Sequence, residues 1–230
     1  MARLGWKRKG ETVLLGLSGG HDSVTLLHLL LVNGHQVTAA HLNHHLRGKE
    51  SNRDEQFVRK LCRTWKVPIS VGHVDVAKHA QHYKLSTEEA ARIARYRFLA
   101  QVARQRKIRK VLVGHHQQDQ VETLLLKIFR GCSRHQLRGM EMIRSFPVLS
   151  WKKLHFHPKQ TSLQLIRPLL EAPVSEIALY VQQNHLPFCE DSSNHDLSHP
   201  RNWIRHRLLP LLEQHLNRNV VKTLARMGKI

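Results

Sequence analysis

Thr12-Val13-Leu14-Leu15-Gly16-Leu17-Ser18-Gly19-Gly20-His21-Asp22-Ser23 is the stretch on which the reading of the whole chain turns. The apolar run over residues 12–17 has strand character, and Ser18-Gly19-Gly20 ends it with turn chemistry. Residues 22–32 then continue as an apolar stretch of helical length. A strand that turns through glycines directly into a helix opens a βαβ unit. The alternation continues downstream. Residues 36–42 have strand character, and residues 51–65 place Phe57, Val58 and Leu61 at helical spacing. Residues 68–74 give a third strand, and 87–105 a long helix with Ser86 and Glu89 in capping-box spacing. A fourth strand spans 110–114 and a fourth helix 119–130. This order predicts an α/β fold on a parallel, doubly wound sheet.

After Gly131 the pattern loosens. Residues 146–151 and 163–167 either pair as a hairpin or add an edge to the sheet, around a basic turn holding His155 and His157. Residues 172–184 are helical and entered through Pro173, 191–194 form a loop, and 201–215 form a helix interrupted by Pro210. The expected organisation is an α/β core over 1–150, the remainder of that core over 151–215, and a short helical tail over 216–230. The last parts make a small helical C-terminal extension.

Composition narrows the function classes. The 230 residues carry 37 Lys and Arg against 17 Asp and Glu, a formal charge of +20. The hydrophobic share of 41% is enough for a packed core, which excludes a disordered chain. No apolar stretch approaches the roughly 20 residues of a spanning helix. The basic start has no apolar run after it, so no signal peptide is expected. Cys62, Cys132 and Cys189 are scattered, without a C-x-x-C pair, which points to a reducing compartment rather than a disulfide scaffold or zinc ribbon. The charge is clustered. Residues 92–110 hold eight basic residues and no acid; residues 131–167 hold seven against Glu141 alone. Such stretches suit a phosphate-rich polyanion.

Two constellations carry chemistry. In Ser18-Gly19-Gly20-His21-Asp22-Ser23 the glycines let the backbone approach a ligand, and open N–H groups at a helix start bind anionic oxygens. The Ser18 and Ser23 hydroxyls add hydrogen bonds. Asp22 beside phosphates makes sense as a holder of Mg²⁺; the bland alternative is a tight turn with Asp22 as a helix N-terminal charge. Neither G-x-x-x-x-G-K-[ST] nor G-x-G-x-x-G is present. The second constellation, His115-His116-Gln117-Gln118-Asp119-Gln120-Val121-Glu122-Thr123, follows the fourth strand and reaches the same sheet edge. Asp119 and Glu122 share one helix face, and with Asp22 they could surround one metal. His115 and His116 read as hydrogen-bond donors to a phosphate or a flipped base, or else as capping and packing groups. No H-E-x-x-H spacing exists, so a catalytic zinc is not expected.

S-G-G-x-D-S after a first strand resembles the signature of the pyrophosphate-loop ATPases. Together with H-H-x-x-D-x-x-E-T the chain resembles the tRNA(Ile)-lysidine synthetase family. His41-Leu-Asn-His44-His-Leu-Arg47, Glu89-Ala-Ala-Arg92, Arg167-Pro-Leu-Leu170, Glu190-Asp-Ser-Ser-Asn194 and Arg201-Asn202-Trp-Ile204-Arg205-His206 agree in order, over residues 12–215. The resemblance implies a Rossmann-like core that adenylates cytidine 34 of the CAU anticodon of isoleucine tRNA and then attaches free lysine, releasing pyrophosphate and AMP. It implies ATP binding by Ser18, Gly19, Gly20, His21, Asp22 and Ser23. Mg²⁺ would be held by Asp22 and Asp119, with Asp119 alternatively relieving the lysine ammonium of its proton. Arg205 would contact the adenylated intermediate. His115, His116, Glu122, Arg47, Arg95, Arg201 and Asn202 would face substrate or tRNA, although Arg47 and Arg95 have Glu50 and Glu88 as alternative partners. Trp203 reads as a core or edge residue, or as a stacking surface for a base.

The expected setting is a bacterial cytoplasm or an organelle interior, without membrane contact and with a homodimer as one state open to the chain. Two departures stand out. Gln118 replaces an acid that many members carry, and the chain ends at Ile230 where many relatives add tRNA-gripping domains, which reads either as a core-only form or as a truncated chain. The rival readings are a thiolase of the same superfamily, a small-molecule ligase and a catalytically idle RNA-binding module. The lack of paired cysteines weighs against the first, and the basic surface against the second. The presence together of Asp22, Asp119 and Arg205 weighs against the third.

Overall fold

The computed structural model describes residues 10–133, 137–147, 162–190, 192–216 and 218–228. Val13, Leu14 and Leu15 are all fully buried in β1 (Thr12–Gly16), as a strand covered on both faces requires. β1 pairs in parallel with β2 (Gln36–Asn43) on one side, Gly16 opposite Ala40, and with β4 (Lys110–Leu112) on the other, Leu15 opposite Leu112. β3 (Ile69–His73) lies outside β2. β6 (Gln164–Ile166) adds in parallel to β4, and β5 (Ile143–Ser145) closes that edge antiparallel. The order is β3-β2-β1-β4-β6-β5. Successive connections run outward in opposite directions from β1 and β4, so their carboxyl ends flank the switch point at which such sheets bind ligands.

The alternation of side chains along β1 divides the core. Val13 and Leu15 meet Leu26 and Leu30 of α1 (His21–Val32), Val58 and Leu61 of α2 (Lys49–Thr64), and Ile177 of α6 (Val174–Gln183). Leu14 and Ala40 face the other way, onto Ile93, Leu99 and Val102 of α4 (Thr87–Gln105). Helices on both faces make the sheet doubly wound. The Ser86–Glu89 capping box at the start of α4 forms as expected, each side chain bonding the other residue's backbone N–H. α5 (Gln117–Phe129) leaves the switch point and packs instead against the C-terminal helices, through Val121, Leu125, Ile204, Leu209 and Ala225.

The structure departs from the sequence expectations in a few elements. A further helix, α3 (Val76–Tyr83), follows β3; Asp75 caps it by accepting the Lys78 N–H at 3.0 Å. The segment after α5 adds an edge to the sheet rather than an isolated hairpin, because β6 pairs with β4; its outer strand is β5, ahead of residue 146, and residues 148–151 lie outside the described part. The expected loop at 191–194 contains a 3₁₀ turn, Ser192–His195. The helix interrupted by Pro210 resolves into α7 (Pro200–Trp203), a π turn (Ile204–Leu208) and α8 (Leu209–His215), followed by α9 (Val220–Met227). Pro210 has no N–H to give. The widened turn, in which the Leu209 N–H bonds Ile204 C=O, carries the chain past it.

Gly114, just after β4, sits against the first turn of α1. A Cβ there would lie 3.1 Å from the Asp22 carbonyl carbon and 3.2 Å from the Ser23 nitrogen. Backbone atoms cannot rotate away as a side chain can. Gly114→Ala is therefore expected to cost about 1–3 kcal/mol of stability, seen as a lower urea midpoint with an unchanged m-value. An unmoved midpoint would mean that the α1 turn gives way freely.

Candidate active site at the switch point

Gly19 adopts φ +99°, a region that suits glycine, and turns the chain from β1 into α1. Gly20 stands at the N-cap of α1 and supplies no side chain to cap it. The serines hold the loop. Ser23 Oγ donates to Gly20 C=O at 2.9 Å and accepts the Gly19 N–H at 3.2 Å; Ser18 Oγ lies 3.1 Å from Ser23 Oγ and accepts the Gly20 N–H at 3.3 Å. The bonds to the two glycine N–H groups are long, so an anionic oxygen can replace them at small cost. From behind, the Cys189 N–H bonds Gly19 C=O at 2.9 Å. His21 Nδ1 accepts the Asp22 N–H at 3.0 Å.

Across the crevice, His116 ends the connection from β4 and caps α5. Its Nδ1 accepts the Asp119 N–H at 3.4 Å, and Asp119 Oδ2 accepts the His116 N–H at 2.9 Å. His116 Nε2 then lies 3.7 Å from Asp22 Oδ2 and 3.6 Å from Asp119 Oδ2, which places the two carboxylates on either side of one imidazole. Burial pushes the Asp119 carboxyl upward, but the fields of His116, His115 and Arg201 and the His116 N–H outweigh it and hold the group below the ordinary range. Asp22 Oδ1 is buried with no hydrogen-bond partner among the described residues.

Glu122 lies one turn beyond Asp119 and is wholly buried. Arg205 Nε donates to its Oε1 at 2.6 Å and Arg205 Nη2 to its Oε2 at 3.1 Å; Arg201 Nε donates to the same Oε2 at 2.8 Å. Arg205 Nη2 also reaches Asp119 Oδ1 at 3.3 Å. Two arginines from the C-terminal helices are thereby fixed over the first turn of α5, each still partly open to solvent.

The sequence-expected residues thus divide. Ser18, Gly19, Gly20, His21, Asp22, Ser23, His116, Asp119, Glu122, Arg201 and Arg205 meet around one crevice, with Glu122 as the anchor of the arginines. His115 turns from the loop toward Arg167, whose Nε donates to its Nδ1 at 3.0 Å. Arg95 has no hydrogen bond or ion pair among the described residues and exerts its field on His44 and His115. Arg47 takes the alternative partnership, with Glu50 and also Asp54 of α2. Asn202 donates to the carbonyls of Ser193 and Asp196 and so braces the 3₁₀ turn. Trp203 is 46% exposed and belongs to no core. Arg167 was not among the expected site residues, although it opens the Arg167-Pro-Leu-Leu170 stretch that carries part of the family resemblance.

Among the described residues no three His, Cys, Asp or Glu side chains form a metal cluster. An ion such as Mg²⁺ takes one or two carboxylates and completes its shell with water and phosphate oxygens. The unpartnered Asp22 Oδ1 supplies the donor such an ion needs.

A serine–glycine loop at the switch point of a parallel sheet, with carboxylates and arginines opposite it, is the arrangement of a nucleotide-binding class of α/β protein. The family model for the PP-loop domain matches residues 1–212, and the chain belongs to that family. Within it the similarity is to tRNA(Ile)-lysidine synthases. The chain is 38% identical to the one from Porphyromonas gingivalis strain W83 over 220 residues, 95% of the chain and 44% of that protein. It is 34% identical to the one from Thermotoga maritima over 226 residues, 96% of the chain and 50% of that protein. The chain spans about half the length of these curated relatives. Among solved structures, the U34-tRNA thiolase NcsA from Methanococcus maripaludis shares the fold, with a TM-score of 0.68 at 18% identity over 97% of the chain and 74% of that protein. No helix among the described residues is long and apolar enough to cross a membrane.

Two predictions follow from this electrostatic arrangement. Glu122→Gln leaves Arg201 and Arg205 without their shared counter-charge, and about 3 kcal/mol of stability should be lost; a thermal midpoint equal to wild type would contradict the anchoring role. Burial pulls His44 down to about 3, helped by Arg95 and His41, and pulls His115 down to about 3 against the attraction of Asp119. The unfolded chain protonates both rings near 6.5, so their contribution is complete above that pH and is lost as pH falls from there toward 3. The slope is about 1.4 kcal/mol per pH unit for each ring. Unfolding free energies measured between pH 7 and 4 should show it, and His44→Gln should remove about one proton's worth of slope.

Proposed function

We propose that the chain carries the ATP-dependent chemistry of a tRNA(Ile)-lysidine synthase, in which lysine is joined to C2 of cytidine 34 of an isoleucine tRNA with a CAU anticodon. The observation that carries this reading is the meeting of Asp22, Asp119 and Arg205 over the serine–glycine loop, in a chain similar over nearly its whole length to such enzymes.

The residues suit the two steps. In the first, cytosine O2 forms a bond to the α-phosphorus of ATP and the bond to pyrophosphate breaks. The Gly19 and Gly20 N–H groups and the Ser18 and Ser23 hydroxyls receive the departing pyrophosphate oxygens. Arg205, held rigidly by Glu122, faces the charge that develops on the transferring phosphoryl group. Asp22 and Asp119 would hold Mg²⁺, which when bound offsets phosphate charge. In the second step the lysine ε-amine bonds to C2 and AMP leaves. That amine must first lose a proton. A carboxylate held below the ordinary range is a weak base, which favours Asp119 as a cation-holding group over Asp119 as the proton acceptor. The loops that carry cytidine 34 in a tRNA are single-stranded, so placing the base in the crevice costs little unstacking. The excess of positive charge supports a nucleic-acid partner.

The test is incorporation of labelled lysine into an isoleucine tRNA transcript with a CAU anticodon, with ATP and Mg²⁺, alongside a transcript with uridine at position 34. Lysine fixed to the first alone is the expected result. Asp119→Ala should lower turnover by on the order of 10²-fold or more while tRNA binding persists in a filter assay. A folded, ATP-binding wild-type chain that fixes no lysine to either transcript would overturn the reading.

A further inference from the structure

Arg167 is the largest fully buried side chain described, 1% exposed, and among the described residues no carboxylate bonds it. Its Nε donates to His115 Nδ1 at 3.0 Å and its Nη1 donates to Glu141 C=O at 2.7 Å. A buried cation with only neutral partners is costly to retain for stability alone.

The consequence falls on His115. An arginine N–H can only donate, so Nδ1 must be the bare nitrogen of the ring, and a neutral imidazole then carries its proton on Nε2. Arg167 therefore settles which face of His115 donates. That Nε2–H has no hydrogen-bond partner among the described residues, and the ring as a whole is only partly buried. His115 stands in the connection from β4 to α5, one residue before the His116 cap, with Asp119, Arg201 and Arg95 as its charged neighbours. A neutral donor of fixed direction, set among arginines, is matched to an acceptor oxygen of a bound nucleotide or base.

We propose that Arg167 is a positioning residue, which locks His115 with its proton on Nε2 so that the ring presents one neutral hydrogen-bond donor to an oxygen of the bound ligand. Resting on the ATP- and RNA-binding reading of the site, this adds a residue that touches no ligand itself. The rival role for Arg167 is purely architectural: its bond to Glu141 C=O ties the approach to β5 against β6.

Heteronuclear NMR of the imidazole nitrogens in the whole chain reads the tautomer directly. His115 in the wild type should show a bare Nδ1 and a protonated Nε2. ATP with Mg²⁺ and a CAU anticodon stem-loop, added separately, identify which ligand supplies the oxygen by which one shifts the Nε2–H signal. Arg167→Gln should release the ring to a mixture of tautomers, and both Arg167→Gln and His115→Ala should weaken binding of the responding ligand by about 10-fold. The double variant should be no weaker than His115→Ala, because Arg167 acts through that ring. Losses that add would assign Arg167 to architecture. A wild-type His115 protonated on Nδ1, or a ring indifferent to both ligands while both bind, would overturn the inference without touching the proposed function. Binding of neither ligand by the folded chain would overturn both. The wild-type measurements stand even if Arg167→Gln does not fold.

Discussion

A carboxylate removed from water must be compensated, and Glu122 is compensated twice, by Arg201 and Arg205. Much else depends on this cluster. It fixes the first turns of α5 beneath the C-terminal helices, and α5 in turn sets His116 and Asp119 opposite the loop that follows β1. It also holds two guanidinium groups rigid and partly solvated, so that they remain charged and directed without searching for a conformation when a ligand arrives. The acid that is most deeply buried is thus the one least available to a ligand. The acids that stay partly open to solvent beside the loop are Asp22 and Asp119.

Around that cluster the crevice combines fixed charges with imidazoles of two kinds. Burial keeps His41, His44 and His115 neutral, whereas the Asp22 carboxylate beside His21 raises that ring above the ordinary imidazole value. The arginines therefore supply the part of the positive potential that is steady with pH, and His21 a part that fades as pH rises. The neutral imidazoles contribute direction rather than charge.

The strand–helix alternation was legible because β1 is apolar at consecutive positions and the helices repeat at their own period. The capping box at Ser86 and Glu89 fixed the start of α4 to the residue. α3 was not legible: it is short and follows β3 with almost no connection, and its one local signal is the Asp75 cap. The edge pairing after α5 was left between two alternatives, since a three-residue strand such as β6 carries no register signal of its own and is placed by β4. At the site, the residues that meet were legible as motifs. Their division of labour was not. Nothing in the spacing of Asp119 and Glu122 says that one faces the crevice and the other lies under two arginines 79 and 83 residues downstream. Arg167 was legible as part of a motif, but its pairing with His115 was not, the two being 52 residues apart.

That separation along the chain has a consequence for how the molecule comes into being. The serine side-chain bonds of the serine–glycine loop span five residues or fewer, whereas the arginine cluster joins positions on either side of the β5 and β6 edge. Contacts that close short loops form early, and those that close long ones wait for the intervening chain. During synthesis the serine–glycine loop and α5 precede residue 205 along the chain, so Glu122 stays in water until the helices that bury and neutralise it are made. Completion of the C-terminal helices is then the event that stabilises α5 and supplies the cationic half of the crevice together. A nascent chain halted before that point would hold the cradle for an anion without the groups that neutralise it.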